Sequence, residues 1–334
     1  MAMLSKRKPF WATMSFFALV TAMAASICLG AADISLSTVK DSLFAFNTAD
    51  TNHQIIREVR IPRAIAGALI GAYLAMAGTI MQGMTRNPLG DPSIMGITSG
   101  AAFGIAIAFV WLQEATSLQL MMVSFIGAAF GASLVFGVGA LSIGGLTPVK
   151  LALAGATISS LLISLSTAIS IHFNVAKQID FWFAGSVNGV QWMEVVLLLL
   201  IGGPVFILGL LISKSLTVLS LGEEVSKGLG QRTKFVKIVC VFIILVLSGI
   251  SVSVAGVLAF IGLIVPHITR SLIGIDYRWL ILFSGLFGAI LVVLADIAAR
   301  MIQPPFETPL GAITTLIGGP FFLYLARREG GKIL

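Results

Sequence analysis

The sequence predicts an all-α integral membrane protein with about ten transmembrane helices. Three observations predict it. Hydrophobic residues fill 57% of the 334 positions and charged residues only 10%, against about 25% charged in soluble domains. The mean hydropathy is +1.03. Apolar runs of roughly 20 residues, the length that crosses a bilayer as a helix, recur along the whole chain. A soluble fold could not cover its surface with so few charges, whereas lipid solvates an apolar exterior. Membrane β-strands are excluded because the runs lack the alternation of a barrel. No room is left for a large soluble domain, so residues 1–334 read as one transmembrane domain.

The spans are expected at 11–32, 62–83, 93–112, 119–143, 151–173, 191–213, 235–255, 257–271, 279–299 and 310–326. The first follows Lys6, Arg7 and Lys8. Its length of about 22 residues exceeds the ~7–15 of a signal-peptide core, and Ile27 before Cys28 suits no lipoprotein cleavage site, so an uncleaved helix is expected. The second opens on Arg60-Ile61-Pro62-Arg63. The third and fourth carry Gly96, Gly100 and Gly104, then Gly127 and Gly131. With Gly67 and Gly71 in the second, these are small residues at four-residue spacing, which lets helix backbones approach.

The fifth span carries Thr157, Ser160, Ser164 and Thr167 on one face, with Ser159, Ser166 and Ser170 as a second stripe. Two readings are open: hydroxyls bonded to helix carbonyls or gluing neighbouring helices, and the wall of a wet pathway. The density of the stripe favours the pathway. The eighth span is short and reads as tilted or broken, and Val265-Pro266-His267 is expected to bend it near the inner face. The ninth carries Asp296 with Arg300 one turn later, most simply a structural i,i+4 pair. Glu194 falls at a span boundary. The pentapeptides Leu200–Pro204 and Leu316–Pro320 echo one another, which reads as chance.

With the N-terminus inside, fifteen of the 21 Lys and Arg fall on the inner side, Lys332 and Arg328 among them. Lys40, Arg57, Arg60, Arg63, Lys177 and Arg300 fall outside. This obeys the positive-inside rule and places both termini in the cytoplasm. It also accounts for the net charge of +7 through lipid and topology, without nucleic acid. The longest outer segment runs from Asp33 to Glu58, and the largest inner loop from Lys214 to Lys234.

Chemistry is sparse. Cys28 and Cys240 both sit in apolar stretches, and His53, His172 and His267 are far apart, so no metal site and no cofactor are expected. A Walker-type phosphate loop is not found in the sequence, and no nucleophile–base arrangement stands out. No ladder of carboxylates crosses the bilayer, so the energy for any transport is expected from another subunit. The lack of clustered metal ligands points to a cargo carried as an organic complex.

Several segments, spread over about residues 55–326, carry a resemblance. They are Arg60-Ile61-Pro62-Arg63; Gly78, Gln82 and Asn87-Pro88-Leu89-Gly90-Asp91-Pro92, leading to Gly96–Ala101; Leu219–Glu224, ending Gly228-Leu229-Gly230; Phe260–His267 with Arg270; and Asp296, Arg300, Glu307–Gly311 and Gly318–Phe322. In order and at this spacing they resemble the iron-siderophore and cobalamin permease family of ABC importers. Thr308 stands where an aliphatic residue is usual.

The resemblance implies a type II ABC importer permease of the cytoplasmic membrane. Two ten-helix permeases, a second copy or a paralogue, form the pathway. Two ATPase subunits dock beneath, and an extracytoplasmic binding protein delivers the cargo, a ferric siderophore or alternatively cobalamin or haem. An ion-coupled secondary transporter is the rival. The ATPase is then expected at about 214–234, through Leu221, Gly222, Glu223, Glu224, Ser226, Lys227, Leu229 and Gly230. Ser220 can cap a short helix there and Gly228 or Gly230 can end it. Arg60 and Arg300 are expected to receive acidic residues of the binding protein, since arginine grips carboxylates bidentately, with Arg63 structural. Gln82, Asn87, Pro88, Pro266 and His267 are expected to be scaffold.

Overall fold

A computed structural model describes residues 2–30, 34–112, 114–141 and 148–330. Among these every regular element is helical. The ends of the expected first and fourth spans at 31–32 and 142–143 lie outside the described residues. So do Asp33, Lys332 and the side chains of Lys6, Arg7 and Arg328.

The chain opens with α1 (Ala2–Cys28). It lies against the ninth span, with Lys8 over the Trp279 ring and Trp11 edge-on to Phe287. On the outer side α2 (Leu36–Phe44) is N-capped by Ser35 and α3 (Thr51–Ile55) by Asp50. Helix α3 continues through a π-helical turn at 56–60 into α4 (Ile61–Thr85). The wide turn has a cause: Pro62 has no N–H to give and its ring crowds the preceding turn. The same device recurs where α9 (Trp192–Leu197) passes through a π-turn at 198–202 into α10 (Gly203–Ser220), just before Pro204.

Between these, α5 (Ile97–Trp111), α6 (Ser117–Leu141) and α7 (Pro148–His172) supply the third to fifth spans. The third starts later than expected. Asp91 caps a 3-10 turn at Pro92–Met95, and Gly96, at φ +75°, redirects the chain before α5 begins. A short helix that periodicity did not announce, α8 (Ala176–Ala184), follows α7. Glu194, at a span boundary in the sequence, closes a capping box with Gln191 at the start of α9.

The chain then forms α11 (Glu223–Gly228), α12 (Thr233–Ala255), α13 (Ile261–Ile273), α14 (Tyr277–Met301) and α15 (Leu310–Gly330). The eighth span is broken as its length suggested: residues 256–260 are not helical and α13 has 13 residues. Among the described residues, seven helical stretches are long and apolar enough to cross a membrane, and 97–111, 261–273 and 310–325 are shorter apolar helices.

Helix α4 is buried along nearly its whole length at the centre. Its Gly71 lies backbone to backbone with Gly288 of α14, and its Gly78 with Gly262 of α13. The glycines of α5 and α6 interlock in the same way. A Cβ on Gly100 would collide with the Gly127 carbonyl, and one on Gly131 with the Gly96 carbonyl. Contact at this range is what holds helices together where lipid offers no hydrophobic drive.

Candidate functional site

On the inner side α11 is fixed at both ends. Ser220 does not cap it. That residue ends α10 and donates to the Thr217 carbonyl, while Gly222, at φ +125°, holds the N-cap position. Ser226 instead ties the helix down, its hydroxyl placed on the carbonyls of Val218 (2.9 Å) and Gly222 (2.6 Å). Gly230, at φ +77°, ends it in a Schellman arrangement: Gln231 N–H reaches the Ser226 carbonyl and Gly230 N–H the Lys227 carbonyl.

Glu223 turns inward. It pairs with Lys237 of α12 at 2.6 Å and with Lys227 at 3.0 Å. Hydrogen bonds from Lys237 and then Lys227 pull its carboxyl from the usual 4.5 down to about 2. Glu224 stays exposed, and so do Leu221, Val225 and Leu229, apolar residues four apart on one side. Val225 was missed by the motif and is marked by that spacing alone. Beside this helix, Arg86 lies 3.6 Å from where a side chain on Gly222 would start. Arg86 leads into the inner turn in which the Asn87 side chain accepts from Leu89 N–H and Gly90 N–H reaches the Asn87 carbonyl across Pro88.

Gln82 and Pro266 are brought together. Pro266 has no N–H, so the carbonyl of Gly262, four residues back, has no helical donor. The Gln82 amide reaches that carbonyl at 3.4 Å and the Leu263 carbonyl at 3.3 Å, while its oxygen accepts from Arg270 at 3.0 Å. Gln82 thus ties α4 to both ends of α13. His267 lies edge-on to Phe321 of α15.

On the outer side the expected Asp296–Arg300 pair (3.0 Å) is part of a larger network. Arg63 spans it, with Nη2 2.8 Å from Asp296 Oδ1 and Nη1 2.7 Å from Glu307 Oε1. Arg60 and Arg300 are only 6% and 7% exposed. Arg60 donates to the carbonyls of Ile27 and Cys28, both at 2.7 Å, and Arg300 to those of Ser26 (3.1 Å) and Leu29 (2.9 Å). These are the carbonyls a helix C-terminus leaves unpaired, at the negative end of its dipole. Gly30 leaves room for both guanidinium groups, since a Cβ there would stand 3.0 Å from Arg60. In this conformation both arginines face α1 and offer little surface to a soluble partner.

On α7, Thr157, Ser160, Ser164 and Thr167 all face out of the bundle. Thr157 and Thr167 donate back to the carbonyls of Leu153 and Ile163. The second stripe faces inward, where Ser159 meets Ser99 of α5 at 3.1 Å and Ser166 and Ser170 are buried.

Residues 18–328 match the FecCD transport family. The chain is 56% identical over 304 residues to the iron(3+)-hydroxamate import system permease protein FhuB of Bacillus subtilis (strain 168), covering 91% of this chain and 79% of that protein. It is 45% identical over 320 residues to the iron-uptake system permease protein FeuB of the same organism, covering 95% of each. Among solved structures it is similar to a metal-chelate type ABC transporter in an inward-facing conformation, with a TM-score of 0.83, 28% identity, and coverage of 96% of this chain and 99% of that one.

Proposed function

The chain belongs to the FecCD transport family, and from that premise we propose that it is the permease through which a ferric siderophore, of the hydroxamate class, crosses the cytoplasmic membrane. It is a multi-pass membrane permease of an ABC importer, a class whose ATPase is a separate subunit and whose cargo arrives on a binding protein. The observation that carries the reading is α11, a short helix locked at both ends that presents Leu221, Val225, Leu229 and Glu224 outward from the basic side of the molecule. An apolar helix face of this kind fits a groove on a partner.

In this reading residues 1–334 are one transmembrane unit, with both termini cytoplasmic and about 214–234 as the coupling segment. Two ATPase subunits and a second permease, a copy or a paralogue, complete the machine. The hydroxyl face of α7 lines the pathway between the two permeases. Arg60 and Arg300 serve docking of the binding protein by holding the end of α1 and the outer segment that follows it. The hydroxamate class is supported by the 56% identity to the hydroxamate permease.

The test is radio-iron uptake by cells with and without the gene, over a panel of ferric siderophores, with labelled cobalamin and haem in parallel. The expected result is loss of ferric hydroxamate uptake, restored by the gene and abolished again when the partner ATPase is inactivated. Loss of cobalamin or haem uptake alone would keep the machine and replace the cargo. Uptake that survives loss of the ATPase would favour an ion-coupled transporter instead.

A further inference from the structure

The break between α12 and α13 lies within the membrane, because Gly262 at the start of α13 rests on Gly78 in the interior of α4. Backbone that leaves a helix at that depth must be buried in protein or line a wet cavity. Here it lines one. The cavity, of about 390 Å³, is walled by residues 257–260 and Gly262, by Asp91 and Ser93 of the 3-10 turn ahead of α5, by Thr98 of α5, and by Ser248 of α12.

The polar accounting of this wall does not close. Among the described residues no hydrogen bond is made by the backbone N–H of Val257, Leu258, Ala259 or Phe260. The N–H groups of Ile261 and Gly262 are free as the first turn of α13, and the positive end of its dipole adds to them. The Ser248 hydroxyl, on a residue 2% exposed, has no partner either. Of these residues Leu258 is buried and Val257, Ala259 and Phe260 are half-buried. Buried donors are almost always paired, so the Leu258 N–H, the first turn of α13 and the Ser248 hydroxyl together are suited to a ligand that brings acceptors. Val257 and Ala259 also wall a second, more open cavity of about 610 Å³ against Thr315 and Leu316 of α15.

We propose that the smaller cavity is a binding site for one oxygen-rich arm of an overall neutral chelate, such as an iron-bound hydroxamate, held by the N–H groups of residues 257–262 and the Ser248 hydroxyl. The proposal rests on the permease reading above and adds where, and by what chemistry, this chain touches the chelate. The Asp91 carboxylate in the same wall selects against a chelate of net negative charge. A ferric ion bound by three hydroxamates carries no net charge, whereas a citrate complex brings carboxylates. The volume is at the low end of ligand pockets, about 300–1,000 Å³, which suits an arm rather than a whole chelate.

The test uses the full chain assembled with its ATPase in membranes, with Cys28→Ser and Cys240→Ala to remove the native thiols and Ala259→Cys as the reporter. An aqueous methanethiosulfonate should label the new thiol. A ferric trihydroxamate should slow labelling at least fivefold, and ferric citrate at the same concentration should not. Absence of labelling, or labelling that ferric trihydroxamate leaves unchanged, overturns the site. If the reporter chain fails to assemble, Ser248→Ala decides. It should raise the half-saturating ferric trihydroxamate concentration for uptake about threefold to tenfold, the worth of one hydrogen bond, and Ser248→Thr should restore it. An unchanged value overturns the site. Because wild-type uptake is measured alongside, failure of the site with ferric hydroxamate import intact is distinct from failure of the permease reading, in which the wild type imports none.

Discussion

At the scale of the residue, Asp296 carries the most. It is 2% exposed and answers both Arg63 and Arg300. Removing one partner of a buried ion pair leaves charge uncompensated, at about 3–5 kcal/mol. Asp296→Ala is therefore expected to unfold the detergent-solubilised protein at markedly lower temperature. Glu307→Gln should cost much less, because Glu307 is one-third exposed and Arg63 keeps Asp296. Thermal unfolding of the two variants checks this; equal losses would mean that Glu307 shares the load. The i,i+4 spacing of Asp296 and Arg300 was legible in the sequence. The reach of Arg63 was not, since a contact across 233 positions leaves no local pattern. The same limit hid Arg60 and Arg300 as donors to the end of α1: arginine near an outer boundary looks alike whether it points at solvent or at a carbonyl. Gln82 and Pro266 were visible as motif letters, and the link between them, an orphaned Gly262 carbonyl, needed the fold.

At the scale of the element, α11 was placed correctly by its acidic start and glycine end. The roles of its two glutamates were not separable, because only the fold brings Lys237 to Glu223. The expected docking face is now Leu221, Val225, Leu229 and Glu224. Val225→Asp, on the exposed side, should reduce co-purification of the ATPase at least tenfold while leaving the permease folded. Retained association would move the docking surface elsewhere. Glu223 acts as an anchor for the helix. Its carboxyl is depressed, so the stabilisation is fully present above the usual 4.5 and fades only as pH falls toward about 2. ATPase association should thus be insensitive to this group between about pH 5 and 8. The boundaries that moved, at α5 and α13, moved where a proline or a left-handed backbone interrupts an apolar run, which hydropathy does not register. The echoed pentapeptides gain a shared local form: Gly202 is pressed against the Tyr73 ring and Gly318 against that of Phe260.

At the scale of the whole molecule, composition and apolar run length sufficed for class and span number, and the hydroxyl stripe of α7 was half legible. Helical spacing put Thr157, Ser160, Ser164 and Thr167 together, and the fold turns that stripe outward. In the assembled transporter Ser160→Cys should react with an aqueous maleimide, whereas Ile207→Cys, on the exposed apolar face that Leu200 and Leu211 share with it, should not. Equal silence at both positions would make the stripe lipid-facing. The interlocked glycines carry a mechanical consequence. Where α5 meets α6, and where Gly71 of α4 meets Gly288 of α14, backbone touches backbone and little side chain is left to tilt or repack. Each pair is therefore a stiff plate. Compliance must then lie between such plates rather than within them. A helix pair of this kind can move only as one panel, and a bulky substitution such as Gly100→Leu would wedge the panel apart rather than let it flex.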